Sequence, residues 1–275
     1  MDKFLKYKNY LKIKNKKNKK IQKKTAVITG GFGRIGSVFL YELLFLGYDV
    51  ICLSRSRKNF EEFVENVPNN LKKKITWNFF DLLDLNSVSS VAANILSNVS
   101  KIDFLINCAM SSYRGKNFSY NEKNFLEEFN GIYGSTFLIT EKLLPAIRKS
   151  KNGKIINVGS IWGSNSPKFE SYLDMDIAPT ANISSGKAAL MQYTKFLVSR
   201  EGSRSIKVNN LVPGWFPRKG KIERKDYIKK ICQNIPLGRI GKLEDLIPAI
   251  SFLLSPDNNY YNGQNLYVDG GYTVF

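Results

Sequence analysis

Apolar positions along this chain fall into two alternating patterns. Short, nearly continuous apolar runs at Thr25–Thr29, 49–53, Ile75–Phe79, 102–107, Lys154–Val158, 207–212 and Asn265–Val268 read as strands. Longer segments at 36–46, 87–98, 124–149, 183–200 and 243–254 read as helices. In the first of these, Val38, Phe39, Leu40, Leu43 and Leu44 form a stripe at helical spacing. Strands that are apolar on both faces, separated by helices, predict an α/β fold with a parallel sheet covered on both sides. Right-handed crossovers make that sheet doubly wound, with about seven strands and with ligands at their carboxyl ends. Pro248 conflicts with the last helix unless it falls in the opening turns, because proline lacks the N–H that the helix interior needs.

Between the first strand and the first helix lies Thr29-Gly30-Gly31-Phe32-Gly33-Arg34-Ile35-Gly36. A strand, a glycine turn and a helix together suit a dinucleotide pyrophosphate. Without Cβ atoms the backbone can approach the phosphates, and Arg34, Ile35 and Gly36 open the helix whose N-terminus attracts them. The expected fold is therefore Rossmann-like. After the second strand the chain reads Ser54-Arg55-Ser56-Arg57-Lys58. An acidic residue here would bind a free ribose 2′-hydroxyl and favour NAD. Arg55 and Arg57, with Arg34 nearby, instead suit a 2′-phosphate, so NADP is the expected cofactor and NAD the alternative.

The chain has 275 residues, of which 43% are hydrophobic, enough for one domain over residues 25–275. Its net charge of +19 is concentrated at the start, where residues 1–24 hold 11 lysines against the single acid Asp2. That stretch is expected to be a disordered, solvated extension, with a polyanion tether as the alternative. It lacks the apolar core of a secretory signal and any aromatic-interleaved recognition motif, so no specific nucleic-acid partner is expected. No apolar run reaches bilayer length. Cys52, Cys108 and Cys232 are widely spaced, which fits reduced thiols in a cytoplasmic protein rather than a disulfide framework. There is no histidine, which excludes histidine bases, histidine triads and histidine metal sites; no metal is expected.

With these residues in place, the chain over about 25–275 resembles a short-chain dehydrogenase/reductase. Gly30, Gly33 and Gly36 fit its Thr-Gly-x-x-Gly-x-x-Gly turn. Asp81-Leu82 resembles its adenine contact, and Asn107-Cys108-Ala109 resembles its Asn-Asn-Ala-Gly strand end, with Cys108 and Met110 as departures. Asn157-Val158-Gly159-Ser160 matches the strand bearing the active-site serine, and Pro213-Gly214 the turn beside the nicotinamide. Pro236-Leu237-Gly238-Arg239 and Val268-Asp269-Gly270-Gly271 match the tail. The long segment before Lys187, with Pro167-Lys168-Phe169-Glu170-Ser171-Tyr172, is similar to oxidoreductases of flagellin-modification and nonulosonic-acid pathways, which implies a sugar-type substrate.

The resemblance also defines a departure. The family's chemistry uses a tyrosine four residues before a lysine on one helix, whose charge lowers the phenol's pKa so that it exchanges a proton with the substrate. Here the lysine is Lys187, and the residue four before it is Ile183, which has no exchangeable proton. The family's extra asparagine falls on Gly131, with Asn130 one residue away. Ser184, Tyr172 and Tyr133 are the candidate substitutes. The resemblance implies that Ser160 orients the substrate oxygen and that Lys187 holds the nicotinamide ribose. Two functions follow: an NADP-dependent oxidoreductase of a carbonyl or alcohol, or a catalytically silent nucleotide-binding partner. Family members assemble through long helices beside the site, so 124–149 and 183–200 are expected to build a homodimer or homotetramer.

Overall fold

The computed structural model describes residues 24–111, 121–172, 179–217 and 225–274. The lysine-rich extension, apart from Lys24, lies outside the described residues. Seven strands form one sheet: β1 (Thr25–Thr29), β2 (Asp49–Ser54), β3 (Ile75–Phe79), β4 (Phe104–Asn107), β5 (Lys154–Val158), β6 (Lys207–Pro213) and β7 (Asn265–Val268). Their order is β3-β2-β1-β4-β5-β6-β7, and every neighbouring pair is parallel. Strand order reverses between β1 and β4, which opens a crevice at their carboxyl ends.

Side-chain alternation explains the uninterrupted apolar runs. Ala26, Ile28, Ile106, Ile156 and Leu211 face the helices Arg34–Phe45 and Ile247–Leu254, packing on Phe39, Leu43, Ile250 and Leu253. Val27, Leu105, Ile155 and Val208 face the other way, onto helices Leu85–Asn98, Ser135–Ile147 and Ala181–Glu201, where they meet Val88, Ile139 and Leu190. Both faces of each central strand are thus withdrawn from water. This is the Rossmann-like doubly wound sheet that the pattern predicted.

The predicted helix 124–149 is broken. It runs as Glu122–Phe129, a π-helical turn Asn130–Gly134, and Ser135–Ile147. The break follows from the close approach of Gly131 to the segment after β4. The Ser111 amide donates to the Gly131 carbonyl at 2.9 Å, and a Cβ on Gly131 would stand 2.7 Å from the Ser111 carbonyl oxygen. Periodicity cannot register one inserted residue whose cause is a long-range contact. The segment 243–254 also divides, into a 3₁₀ turn Leu243–Leu246 and the helix Ile247–Leu254. Pro248 therefore lies in the first helical turn, where the missing N–H has no intrahelical partner to lose. Three helices among the described residues escaped the sequence reading: Asn69–Lys72 is only one turn long, and Arg57–Glu65 and Lys225–Gln233 each carry only a short apolar stripe among charges.

Candidate active site

The predicted site residues converge on the carboxyl rim of the sheet. Gly30 takes φ +70° and its amide donates to Leu53 O at 2.8 Å, pinning the turn across β2. A Cβ on Gly30 would come within 2.9 Å of Ala109 Cα, and one on Gly36 within 2.1 Å of Gly30 O. Turn, helix start and the end of β4 are therefore packed backbone to backbone, which only glycine permits. At Gly33 a Cβ would meet only Gly30 O, at 3.1 Å, so the outer side of the turn is open. Gly33 is also the N-cap of helix Arg34–Phe45, with no side-chain cap and no acid in the first turn. This cradle fits a pyrophosphate: it is open, its helix N-terminus is uncapped, and it lacks a competing carboxylate.

Thr29 Oγ1 accepts from the amides of Cys108 and Ala109, both at 3.1 Å, locking the ends of β1 and β4 together. Asp81 Oδ1 accepts from the Leu83 amide at 3.0 Å and so shapes the turn after β3, with Leu82 buried beside it. Arg55 is exposed just past β2. Pro213 ends β6, and Gly214 packs against Asp269, where a Cβ would stand 2.6 Å from Asp269 Cα. Asp269 accepts from the amides of Gly271 at 2.9 Å and Thr273 at 3.0 Å, and so ties the tail to this rim.

Ser160 and Lys187 come together. Lys187 Nζ donates to Val158 O at 2.6 Å, and its side chain is buried. Val158 ends β5, two residues before Ser160. Ser160 Oγ accepts from the Trp162 amide at 3.2 Å, capping the 3₁₀ turn Ile161–Gly163. That turn lies on the lysine's helix: a Cβ on Gly163 would reach 2.9 Å from Lys187 C. The same lysine acts electrostatically on Cys108. Burial pushes the Cys108 thiol up to about 12, while the Lys187 charge pulls the other way.

The candidate proton donors are placed differently. Ile183 is 1% exposed and buried one turn before Lys187. Ser184 is half-buried, and its hydroxyl makes no hydrogen bond to another described residue. Tyr172 ends a 3₁₀ turn, Phe169–Tyr172, and its side chain lies outside the described residues. Tyr133 stacks among Phe129, Phe137 and Tyr193 at ring separations of 5.7, 6.0 and 6.0 Å, an aromatic group along the helices Ser135–Ile147 and Ala181–Glu201.

The Asn107 side chain belongs to an internal hydrogen-bond network. Its amide is buried and donates to Asn157 Oδ1 at 2.8 Å and Thr140 Oγ1 at 3.0 Å. Asn157 donates to Thr194 Oγ1 at 2.8 Å, Thr194 reaches Asn210 Oδ1 at 3.0 Å, and Asn210 donates to Asn265 Oδ1 at 2.8 Å. Thr29, Asn107, Asn157, Asn210 and Asn265 are successive register partners across β1, β4, β5, β6 and β7. A polar row thus crosses the apolar sheet. Sequence reasoning saw its members as separate residues, since strand register is not written in any one strand.

Comparisons with known proteins agree with this geometry. The family model described as enoyl-(acyl carrier protein) reductase, of the short-chain alcohol dehydrogenase type, matches residues 35–273. The 3-oxoacyl-[acyl-carrier-protein] reductase of Rickettsia felis is 30% identical over 250 residues, covering 90% of this chain and 96% of its own. The Salmonella typhimurium protein of the same description is 28% identical over 253 residues, covering 90% and 96%. A short-chain dehydrogenase from Leptospira borgpetersenii, solved with bound NAD+, superposes with a TM-score of 0.78 at 28% identity, covering 92% of this chain and 94% of its own. ElxO, solved with NADP, gives 0.79 at 25% identity, covering 92% and 100%. The chain belongs to the short-chain dehydrogenase/reductase family and is an oxidoreductase of that type. Among the described residues, no helix is long and apolar enough to cross a membrane, and no group of side chains could hold a metal ion.

Proposed function

We propose that this protein is an NADP-dependent oxidoreductase acting on a small carbonyl or alcohol of sugar type, with NAD as the weaker cofactor. The observation that carries the reading is the joining of Ser160 and Lys187 at the rim beside the glycine cradle, through the 2.6 Å bond from Lys187 to Val158 O. When bound, the nicotinamide supplies or accepts the hydride. The residues of the chain do the rest. Gly30, Gly33 and the helix start at Arg34–Gly36 receive the pyrophosphate, and Asp81, Leu82, Asn107 and Ala109 line the adenosine side. Arg55 meets the 2′-phosphate, in keeping with the NADP found in ElxO. Pro213 and Gly214 flank the nicotinamide. Ser160 orients the substrate oxygen, while the charge of Lys187 holds the nicotinamide ribose and favours a developing oxyanion.

Ile183 supplies no proton. In this reading the proton comes from water or from Ser184 or Tyr172. Loss of a positioned acid typically costs a factor of about 10²–10⁴, so a slow enzyme is the expectation. The sugar-type substrate rests on the segment around Pro167–Tyr172, and the cytoplasmic placement on the free thiols. Exposed Phe125, Phe137 and Phe196, along the helices beside the site, support a homo-oligomer.

The test is NADPH oxidation against a panel of keto sugars, nucleotide-linked sugars and 3-oxoacyl thioesters, with the wild type, Lys187→Met and Ile183→Tyr. Measurable turnover that falls at least about a hundredfold in Lys187→Met is expected. A wild type with no turnover, rescued from zero by Ile183→Tyr, would instead identify a silent nucleotide-binding protein.

A further inference from the structure

Phe32 is the bulky member of an otherwise small turn, and the pyrophosphate cradle does not require it. Its ring lies 5.7 Å from Phe60 and 5.6 Å from Phe63, both in tilted contact. Phe63 sits 4.8 Å from Tyr41, on the helix that the turn opens. Phe60 stacks on Trp77 of β3 at 6.3 Å, with the planes 17° apart. The Trp77 indole donates to the Ser54 hydroxyl at 3.0 Å. Ser54 is the last residue of β2, directly before Arg55. A continuous line of rings therefore runs from the glycine turn, through the helix Arg57–Glu65, to the residue that carries Arg55.

The cations beyond β2 are not equivalent. Arg57 pairs with Glu61 at 3.0 Å and Lys58 with Glu62 at 3.8 Å. Arg55 is exposed and makes no ion pair with any described residue. A long side chain gains selectivity for an anion only when its backbone is held at a fixed place, because ordering a mobile loop is charged against binding. The helix Arg57–Glu65 buries no residue fully, so it cannot anchor this corner by core packing. Its anchors are Phe60 and Phe63, half-buried against the turn and the core beneath.

We propose that this aromatic brace sets cofactor specificity, by holding Arg55 at one distance from the glycine turn so that a pyrophosphate seated in the turn brings its ribose 2′-phosphate to the guanidinium. Phe32, Phe60 and Trp77 are positioning residues in this scheme, and Arg55 is the group that touches the phosphate. The proposal rests on the NADP reading above.

The test is titration of the full-length chain with NADPH and with NADH, followed by nicotinamide fluorescence, for the wild type, Arg55→Ala, Phe60→Ala, the double variant and Trp77→Phe. Arg55→Ala is expected to weaken NADPH by about tenfold or more while NADH stays within about twofold. Phe60→Ala is expected to weaken NADPH by roughly three- to tenfold, leave NADH within about twofold, and add nothing once Arg55 is gone. Trp77→Phe keeps the stack and removes only the bond to Ser54; it is expected to narrow the NADPH preference in the same direction, and it carries the test if Phe60→Ala does not fold. Equal loss for both cofactors, additive loss in the double variant, or an unchanged preference in Trp77→Phe overturns the brace. If Arg55→Ala leaves the NADPH preference intact, the NADP reading itself fails, a separate result.

Discussion

At the scale of single residues, environment decides what each candidate can do. Cys108 stands where the family motif has a residue at the rim, yet burial makes its thiolate so unfavourable that Lys187 only partly offsets the shift. The thiol is held up to about 12 in the fold against 9.0 ordinarily, so the unfolded chain ionises first as pH rises. Its contribution to stability is complete below pH 9.0 and is lost as pH climbs toward about 12. Native protein at pH 8 is expected to leave Cys108 unmodified by iodoacetamide, measured by peptide mass spectrometry, and rapid native labelling there would contradict this environment. Ile183 is the opposite case. Its identity was plain in the sequence, and the structure adds that the position is 1% exposed and lies one turn before Lys187 on the same helix.

At the scale of elements, the amide row shows how strands and helices are tied where the chemistry sits. Thr194 lies on the helix of Lys187 and bonds Asn157 of β5 and Asn210 of β6. Replacing it by valine keeps the shape and strands two buried amide groups, at a cost of about 3 kcal/mol by urea unfolding. Thr194→Ser keeps the hydroxyl and is expected to lose no more than about 1 kcal/mol. Equal effects of the two variants would show that the row is not held by hydrogen bonds. The π-helical turn Asn130–Gly134 belongs to this scale as well. A single inserted residue lets Gly131 meet Ser111, and no periodic pattern reports it.

At the scale of the whole molecule, the helices Glu122–Phe129, Ser135–Ile147 and Ala181–Glu201 leave an aromatic ridge in solvent. Phe125 is 45% exposed, Phe137 36% and Phe196 53%, with Tyr133 and Tyr193 between them. Arg200 and Glu141 flank this ridge and pair at 2.8 Å. A ridge of this kind suits a twofold contact with a second copy. Phe137→Glu combined with Phe196→Glu is expected to lower the mass measured by sedimentation equilibrium relative to the wild type. An identical mass would show that this ridge is not a contact between copies.

The sequence by itself determined the sheet and most of its helices, because continuous apolar runs and helical stripes are local patterns with a fixed period. It also placed the glycine turn, Ser160, Lys187 and Ile183 in the chain, since each depends on residue identity at short spacing. Tertiary structure decided what depends on distant partners. Strand register aligned four asparagines into one row, the Ser111 contact broke a helix, and ring packing joined Phe32 to the neighbourhood of Arg55. Those contacts join residues far apart in the chain, and only the folded sheet brings them within hydrogen-bond or van der Waals reach.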